Sequence, residues 1–161
     1  MNRIDSFHGE HRFLSNFWPA EVVLDGVTYP TVEHAYVAAK TLDTGTRQEI
    51  AVVEKPGDVK RFGRKLALRS DWESVKLDVM RDLVRQKFAH SELRAQLLAT
   101  GDAELIEGNT WNDTFWGVCR GKGENHLGKI LMSVRASASG TPGLVGAQEI
   151  AAERLASVIR G

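Results

Sequence analysis

A tight turn at Asp25-Gly26 constrains the fold of this sequence more than any other feature. Asp-Gly between short β-type runs is a strong signal for a two-residue hairpin, and here it joins EVVL to VTY. Pro30 ends the second strand because it has no N–H to donate to a neighbouring strand, and Thr31 is a suitable N-cap. We therefore predict a helix over residues 31–42 that begins at the end of a hairpin.

The remainder of the chain has a mainly helical pattern. Capping boxes at Thr46/Glu49 and Ser70/Glu73, Pro56 as a first helical residue and Ser91 as a cap predict helices at 46–54, from 56, at 70–88 and at 91–99. A short β-like piece (AELIE) and a loop over 108–123 precede renewed helical spacing, a linker at 137–143 and a last helix at 144–160. We expect one α+β domain over residues 1–161, predominantly helical around a small antiparallel sheet.

Composition limits the possible function classes. A chain of 161 residues buries roughly 70% of its unfolded surface, enough for one preformed core. Lys plus Arg and Asp plus Glu both total 21, so the net charge is zero and non-specific coating of a polyanion is not expected. The run KRFGRKLALR over residues 60–69 still permits a local basic patch, although a solvated basic helix face explains it equally well.

Cysteine and histidine provide no framework for a disulfide or a metal. Cys119 is the single cysteine, and the five histidines have no zinc-type spacing, so we expect neither a metal site nor a cofactor. No stretch approaches the about 20 apolar residues of a membrane span, and the N-terminus has no signal-peptide core. We therefore expect a cytoplasmic protein without membrane association.

Glu33 and Lys40 are the first candidate pair for chemistry. They lie seven residues apart on the predicted first helix, which is nearly two turns, so both head groups can face one cleft. The alternative is a solvent-exposed stripe, because separated Glu and Lys residues are common on helix surfaces.

The segment WNDTFWG concentrates aromatic residues in a predicted loop. Trp111, Phe115 and Trp116 could stack on a planar base, while Asp113 could stabilise positive charge on a sugar. The alternative is that the rings close the core beneath the loop.

Two further stretches could bind the rest of such a ligand. HRFLSNFWP places aromatic residues around polar ones, as a nucleoside pocket requires, in the set Arg12, Ser15, Asn16, Phe17 and Trp18. The turn GKGENHLG resembles a phosphate-binding turn, in which Gly121 and Gly123 let the backbone approach an anion at a helix start near Asn125. A buried aromatic anchor and an ordinary glycine-rich helix entry are the respective alternatives.

Taken together and in order, these segments resemble the NADAR superfamily, whose YbiA-like members are N-glycosidases. The resemblance rests on FLSNFWP, DGVTYPTVEHAYVAAK, RSDWESVKLDVMRDLVRQKF and NDTFWGVCRGKGENHLGKILM, and it extends over about residues 7–136. It implies an α+β domain that acts on N-ribosides. These are riboflavin-pathway intermediates in some members, and ADP-ribose on guanine or NAD-derived conjugates in others.

The resemblance also implies roles for individual residues. Glu33 matches the catalytic glutamate, and three further matches to the catalytic region are Lys40, Trp72 and Asp113. The substrate-binding set that we expect comprises Arg12, Ser15, Asn16, Phe17, Trp18, Tyr36, Trp116, Gly121, Lys122, Gly123 and Asn125. Residues Val118-Cys119-Arg120 depart from the glycine-rich stretch of some relatives, so the resemblance does not define substrate specificity.

Cleavage of a ribosyl C–N bond builds oxocarbenium-like charge on the sugar and requires a proton for the leaving nitrogen. We expect Glu33 to act as the main acid/base and Asp113 as its partner, with Trp72 and Trp116 on the base and Arg12 and Lys122 on phosphate. A rival route forms an imine on Lys40. The expected partner is a phosphorylated N-riboside or ADP-ribosylated guanine, either free or as a modified base within nucleic acid. A non-catalytic ADP-ribose-binding module and an interaction surface of tryptophans are the alternative functions.

Overall fold

The structure is a computed structural model that describes residues 2–140. This part of the chain contains six α-helices, six short strands and a 3₁₀ helix at Gly9–Leu14. The helices are α1 (Val32–Ala39), α2 (Thr44–Ala51), α3 (Pro56–Gly63), α4 (Trp72–Lys87), α5 (Ser91–Ala99) and α6 (His126–Ser139). The strands are β1 (Arg3–Ile4), β2 (Val22–Leu24), β3 (Val27–Tyr29), β4 (Glu104–Leu105), β5 (Gly108–Asn109) and β6 (Val118–Cys119).

The predicted hairpin is confirmed as the antiparallel pair β2–β3, with Val22 opposite Tyr29. Asp25 and Gly26 both have positive φ (48° and 79°), which a two-residue turn of this kind requires at both central positions. The α+β class is also confirmed, but the sheet differs from the expected single antiparallel one. Within the described residues, β1–β4 and β5–β6 form two further pairs, and both are parallel. Local periodicity did not predict them because each strand has only two residues.

Helix α1 lies at the centre of the core. Thr31 caps it as predicted, since its Oγ1 accepts a hydrogen bond from the His34 N–H at 3.1 Å. The helix packs against α2, α3 and α4, and Val32, Ala35 and Ala38 are completely buried. A helix surrounded in this way is fixed in position, so any side chain that it directs into a cavity has a fixed backbone.

Two predicted capping boxes are wrong. Helix α2 begins at Thr44 because the carboxylate of Asp43 accepts the Thr46 N–H at 2.8 Å, two residues before the predicted start. Helix α4 begins after Asp71, which makes no side-chain cap and instead pairs with Arg69 at 2.6 Å. An aspartate three residues before Thr46 thus caps α2, whereas α4 starts one residue later than the Ser70 cap predicts and has no side-chain cap.

The C-terminal boundary also differs from the prediction. Helix α6 continues to Ser139, so residues 137–139 are helical and not part of a linker. The predicted helix at 144–160 lies outside the described residues. Among the helices of residues 2–140, none combines the length and the apolar character needed to cross a bilayer.

Candidate active site

The candidate active site is a cavity of about 960 Å³, within the range of small-molecule sites. It lies where α1 and α3 meet the segment after β1 and the loop between β4 and β6. The lining is shared by carboxylates, cations and aromatic rings: Glu33, Glu107, Asp113, Arg12, Lys40, Lys60, Arg64, Phe7, Phe17, Tyr36, Trp18, Trp111 and Trp116, with Ser15 and Asn16 among the remaining lining residues. A cavity with both charge signs and planar surfaces suits a ligand with a phosphate, a sugar and a base.

Helix α1 directs Glu33, Tyr36 and Lys40 into this cavity. The spacing of three and then four residues puts the side chains on one helix face, while the other faces of the helix form the core. The Glu33 N–H also donates to the Asn16 carbonyl at 3.1 Å, which ties the N-terminal segment to the first turn of α1. The prediction that Glu33 and Lys40 face one cleft is therefore confirmed.

The environment of Glu33 favours retention of a proton. Burial is the main cause that raises its pKa above the usual value, and the charge of Asp113 raises it further, while Lys60 and Lys40 lower it. Burial also lowers the pKa of Lys40, and Glu33 partly opposes that shift. The Lys40 ammonium lies 5.4 Å from the centroid of the Tyr36 ring. Burial thus favours the neutral form of both Glu33 and Lys40.

Asp113 organises the loop between β5 and β6. Its Oδ1 accepts the N–H groups of Phe115 and Trp116 at 3.2 and 2.9 Å, and its own N–H donates to the side chain of Asn109 at 3.0 Å. One carboxylate oxygen is therefore occupied by backbone, and Oδ2 is the oxygen left for a ligand. Trp116 donates its indole N–H to the Tyr36 hydroxyl at 3.1 Å, which joins the loop to α1.

Trp72 and Phe115 support the site from outside the cavity. Trp72 is 5% exposed and packs on Tyr36 with ring centroids 5.2 Å apart, and only Tyr36 of the two is among the residues that line the cavity. Phe115 packs on Trp116 and His126. The structure therefore does not place Trp72 in contact with a base, as the resemblance implied. It makes Trp72 a support for the ring that does line the cavity.

Aromatic residues at the cavity are partly open to solvent. Phe17 and Trp111 are 39% and 46% exposed, and the ammonium of Lys60 lies 6.0 and 4.7 Å from their ring centroids. The guanidinium of Arg12 lies 5.9 Å from the ring of Trp18. These exposed rings with cations beside them can accept a planar group and an anionic group together.

The predicted glycine turn is not part of the cavity lining, and this corrects the phosphate assignment. Gly121 and Lys122 belong to a tight reversal in which Cys119 and Lys122 exchange backbone hydrogen bonds. At Gly123, φ is 149° and a Cβ would collide with the Gly117 carbonyl oxygen. Asn125 is buried, and its side chain bonds the Glu107 N–H and the Leu105 carbonyl.

The N-terminus of α6 has no free donors for an anion at the first positions. The N–H groups of Asn125, His126 and Leu127 donate to the carbonyls of residues 117, 115 and 116, at 3.3, 3.1 and 3.0 Å. Unpaired N–H groups are what make a helix start an anion site. The turn therefore anchors the aromatic loop to α6.

Three charged residues that line the cavity were not predicted as part of the site: Lys60, Arg64 and Glu107. Lys60 and Arg64 stand four residues apart in the basic run and so share one side of α3. Glu107 follows the apolar pair Leu105-Ile106 directly before the aromatic loop, and this position is the sequence signal that points to it. Within residues 2–140, no group of three or more His, Cys, Asp or Glu side chains is placed to hold a metal ion.

Comparisons with known proteins show the family to which this chain belongs. The NADAR domain model matches residues 5–138. The chain is 50% identical over 127 residues to the N-glycosidase YbiA of Escherichia coli (strain K12), covering 75% of this chain and 78% of that protein. It is 39% identical over 142 residues to an N-glycosidase of Nostoc punctiforme, covering 84% and 90%.

Two further comparisons concern structure and a longer relative. The NMR structure of Escherichia coli YbiA superposes with a TM-score of 0.73 at 40% identity, covering 96% of this chain and 89% of that one. A riboflavin biosynthesis protein of Vibrio vulnificus is 40% identical over 129 residues, which is 78% of this chain and 35% of that protein. With the family model matched over almost all described residues, this chain belongs to the NADAR domain family.

Proposed function

We propose that this chain cleaves the bond between a ribose carbon and a nitrogen of a planar base in a phosphorylated or ADP-ribosylated substrate. The chain is a hydrolase of N-glycosyl bonds, the activity after which its relatives are named. The observation that carries the proposal is the cavity into which α1 directs Glu33 and Lys40, with Asp113 among the residues that line it.

The chemistry requires charge control on both sides of the breaking bond. As the C–N bond lengthens, positive charge develops on the sugar, and the departing nitrogen takes the electron pair. Glu33 in its carboxylate form, which Lys60 and Lys40 favour against the effect of burial, can stabilise that charge and accept a proton from an attacking water, while Asp113 offers its Oδ2 to the sugar or the water. A positioned general base of this kind contributes about 10² to 10⁴ in rate.

Arg12, Lys60 and Arg64 are the cations that we assign to the phosphate, in place of Lys122. All three line the cavity. None of them forms an ion pair with a carboxylate within residues 2–140, in contrast to Arg61, which pairs with Asp58. An unpaired cation beside a cavity is available to a phosphate at a lower desolvation cost than one that must first break a pair.

The base has two aromatic regions available to it. Tyr36 and Trp116, coupled by their hydrogen bond, line the cavity beside Glu33, while Phe17 and Trp111 are more exposed. Stacking of a base on one such ring contributes about 1 to 3 kcal/mol. A compact N-riboside phosphate needs one region, whereas an ADP-ribosyl group carries a second planar base that can use the other.

Lys40 offers a different first step to the same products. Its amine would attack the sugar and form an imine that water later resolves, which requires the unprotonated amine that burial favours. Borohydride added during turnover distinguishes the routes. An adduct on Lys40 that is missing in Lys40→Ala supports the imine, and active wild type without an adduct supports direct attack by water.

The test is product analysis by mass spectrometry on wild type, Glu33→Gln and the control Glu49→Gln, an exposed residue of α2. Each protein is incubated with a riboflavin-pathway ribosylaminopyrimidine phosphate and with ADP-ribosylated guanosine. Wild type and the control should release ribose phosphate from the first or ADP-ribose from the second, and Glu33→Gln should release neither at a comparable rate.

The outcome that contradicts the proposal is binding without turnover. Wild type that is stabilised by the compounds, by about 2.7 kcal/mol at 100 times their Kd, yet releases no product, is a binding module. Wild type that neither binds nor cleaves either compound contradicts the substrate class as well.

A further inference from the structure

Glu107 is a third carboxylate at the cavity, and neither the sequence motifs nor the family match assigns it a role. It lies between β4 and β5 and lines the cavity together with Glu33 and Asp113. Its Oε2 is buried and receives no hydrogen bond within the described part of the chain. A buried carboxylate oxygen without a donor is costly when ionised, so this position favours a neutral carboxylic acid.

The backbone around Glu107 is held on both sides. Its N–H donates to the side chain of Asn125 at 3.0 Å, and its carbonyl accepts the Val118 N–H at 2.8 Å. Gly117 faces it so closely that a Cβ would lie 2.8 Å from Glu107 Cγ. A side chain confined in this way has few alternative rotamers, and a fixed direction is what proton transfer to a bound substrate requires.

The charges around Glu107 favour the protonated form. Burial is the largest cause that raises its pKa, to about 7, and Asp113 on the loop and Glu33 on α1 raise it as well. Lys60 on α3 and Lys87 on α4 oppose this shift. Lys87 is itself buried, and its ammonium donates to the Ser15 carbonyl at 2.7 Å, while burial lowers its pKa to about 7.

Glu33 and Glu107 have different neighbours, and this separates their roles. After burial, the strongest influences on the pKa of Glu33 are two lysines that favour its carboxylate. For Glu107, the strongest influence after burial is the negative charge of Asp113, which favours its acid form. The pKa of both groups is raised by burial, but the lysines beside Glu33 favour its carboxylate and Asp113 favours the acid form of Glu107, which suits Glu33 to act as base and Glu107 as acid in one reaction.

We propose that Glu107 is the proton donor to the leaving nitrogen in the reaction of this site, an inference that rests on the proposed N-glycosidase function. The Glu107 O–H bond breaks and its proton bonds to the leaving nitrogen, which keeps the electron pair of the C–N bond. Water adds its oxygen to the sugar carbon and gives a proton to Glu33. Solvent returns the proton from Glu33 to Glu107, so the net reaction consumes one water.

The first test is the pH dependence of kcat/KM for wild type, Glu107→Gln and the control Glu104→Gln, an exposed neighbour on β4. Wild type and the control should lose activity above about pH 7, tenfold per pH unit, as the acid loses its proton. Glu107→Gln should be slower by about 10² to 10⁴ in kcat at pH 6 and should lack this alkaline limb. Its affinity for the released ribose product should be unchanged.

Lys87 provides a second variant, because its deprotonation near neutral pH could produce the same limb. Lys87→Met removes a charge that lowers the pKa of Glu107, so the alkaline limb should move to higher pH. If the limb disappears instead, Lys87 is the titrating group and the assignment to Glu107 is overturned. This variant decides the question even if Glu107→Gln does not fold.

The remaining outcomes separate the two proposals. Wild type without turnover on any N-riboside removes the proposed function. Active wild type together with a Glu107→Gln variant that keeps both its rate and its alkaline limb overturns the role of Glu107 alone. A wild-type profile that is flat from about pH 6 to 9 overturns it too, because a donor with the pKa that the surroundings of Glu107 impose must titrate in that interval.

Discussion

Replacement of Asn125 by alanine distinguishes a structural role from the substrate contact that the resemblance implied. The side chain accepts the Glu107 N–H and donates to the Leu105 carbonyl, both at 3.0 Å, and it is 9% exposed. Its removal leaves two buried groups without partners, at about 1 to 3 kcal/mol each. Asn125 also has φ of 53°, and alanine in that conformation costs about 1 to 2 kcal/mol more.

We therefore expect Asn125→Ala to lower the free energy of unfolding by about 3 to 8 kcal/mol, measured by urea denaturation. Asn125→Gly should recover about 1 to 2 kcal/mol of this, because glycine adopts positive φ readily. Lys122→Ala, an exposed change in the same turn, should stay within about 0.5 kcal/mol of wild type. A stable Asn125→Ala with weakened substrate binding would refute the structural role.

Three further predictions concern the site. Because Glu33 acts as a base in its ionised form, kcat/KM should fall at low pH as Glu33 takes up a proton. Lys40 lowers the pKa of Glu33, so Lys40→Ala should move this acidic limb to higher pH. An acidic limb that does not move contradicts the coupling of the two residues. The pKa of Glu107 is about 7 in the folded protein, against an ordinary value of 4.5. The contribution of its protonated form to the free energy of unfolding is therefore complete below about pH 4.5 and is lost as pH rises through 7. Urea denaturation at a series of pH values should show that the free energy of unfolding of Glu107→Gln rises relative to wild type by up to about 3 kcal/mol between those two pH values. A difference between the two proteins that does not change with pH contradicts this prediction. Gly117→Ala should lower the melting temperature because its Cβ meets the Glu107 carbonyl, whereas Gly57→Ala in α3 has open space and should not.

Local signals account for what the sequence predicted well. The Asp-Gly turn, Pro30 and the Thr31 cap lie within a few residues of one another, and they placed the hairpin and the start of α1 correctly. The shared direction of the Glu33 and Lys40 side chains then follows from helical geometry alone. Features of this kind depend on neighbours in the chain, which a single sequence displays directly.

Features that depend on distant residues were not predicted. The pairing of β1 with β4 joins segments about 100 residues apart through two residues each, too short for any periodic pattern. The glycine-rich helix start predicted that Asn125 contacts the substrate. This prediction is not supported because the carbonyls of residues 115–117 accept the N–H groups that an anion would need. Glu107 is suited to donate a proton only because it is buried beside Asp113 and Glu33, and sequence spacing does not show that arrangement.

Because the aromatic loop is anchored to α6, the choice of leaving group and the hydrolytic step depend on different parts of the structure and can be engineered separately. Glu33 on α1 cannot be moved without disturbing the core, since Val32 and Ala35 on the same helix are fully buried. Trp111, by contrast, is nearly half exposed on a loop whose ends are fastened by Asp113 and Asn125. Libraries limited to Trp111 and its exposed neighbour Thr110 should therefore change which leaving group is accepted while the hydrolytic step is retained.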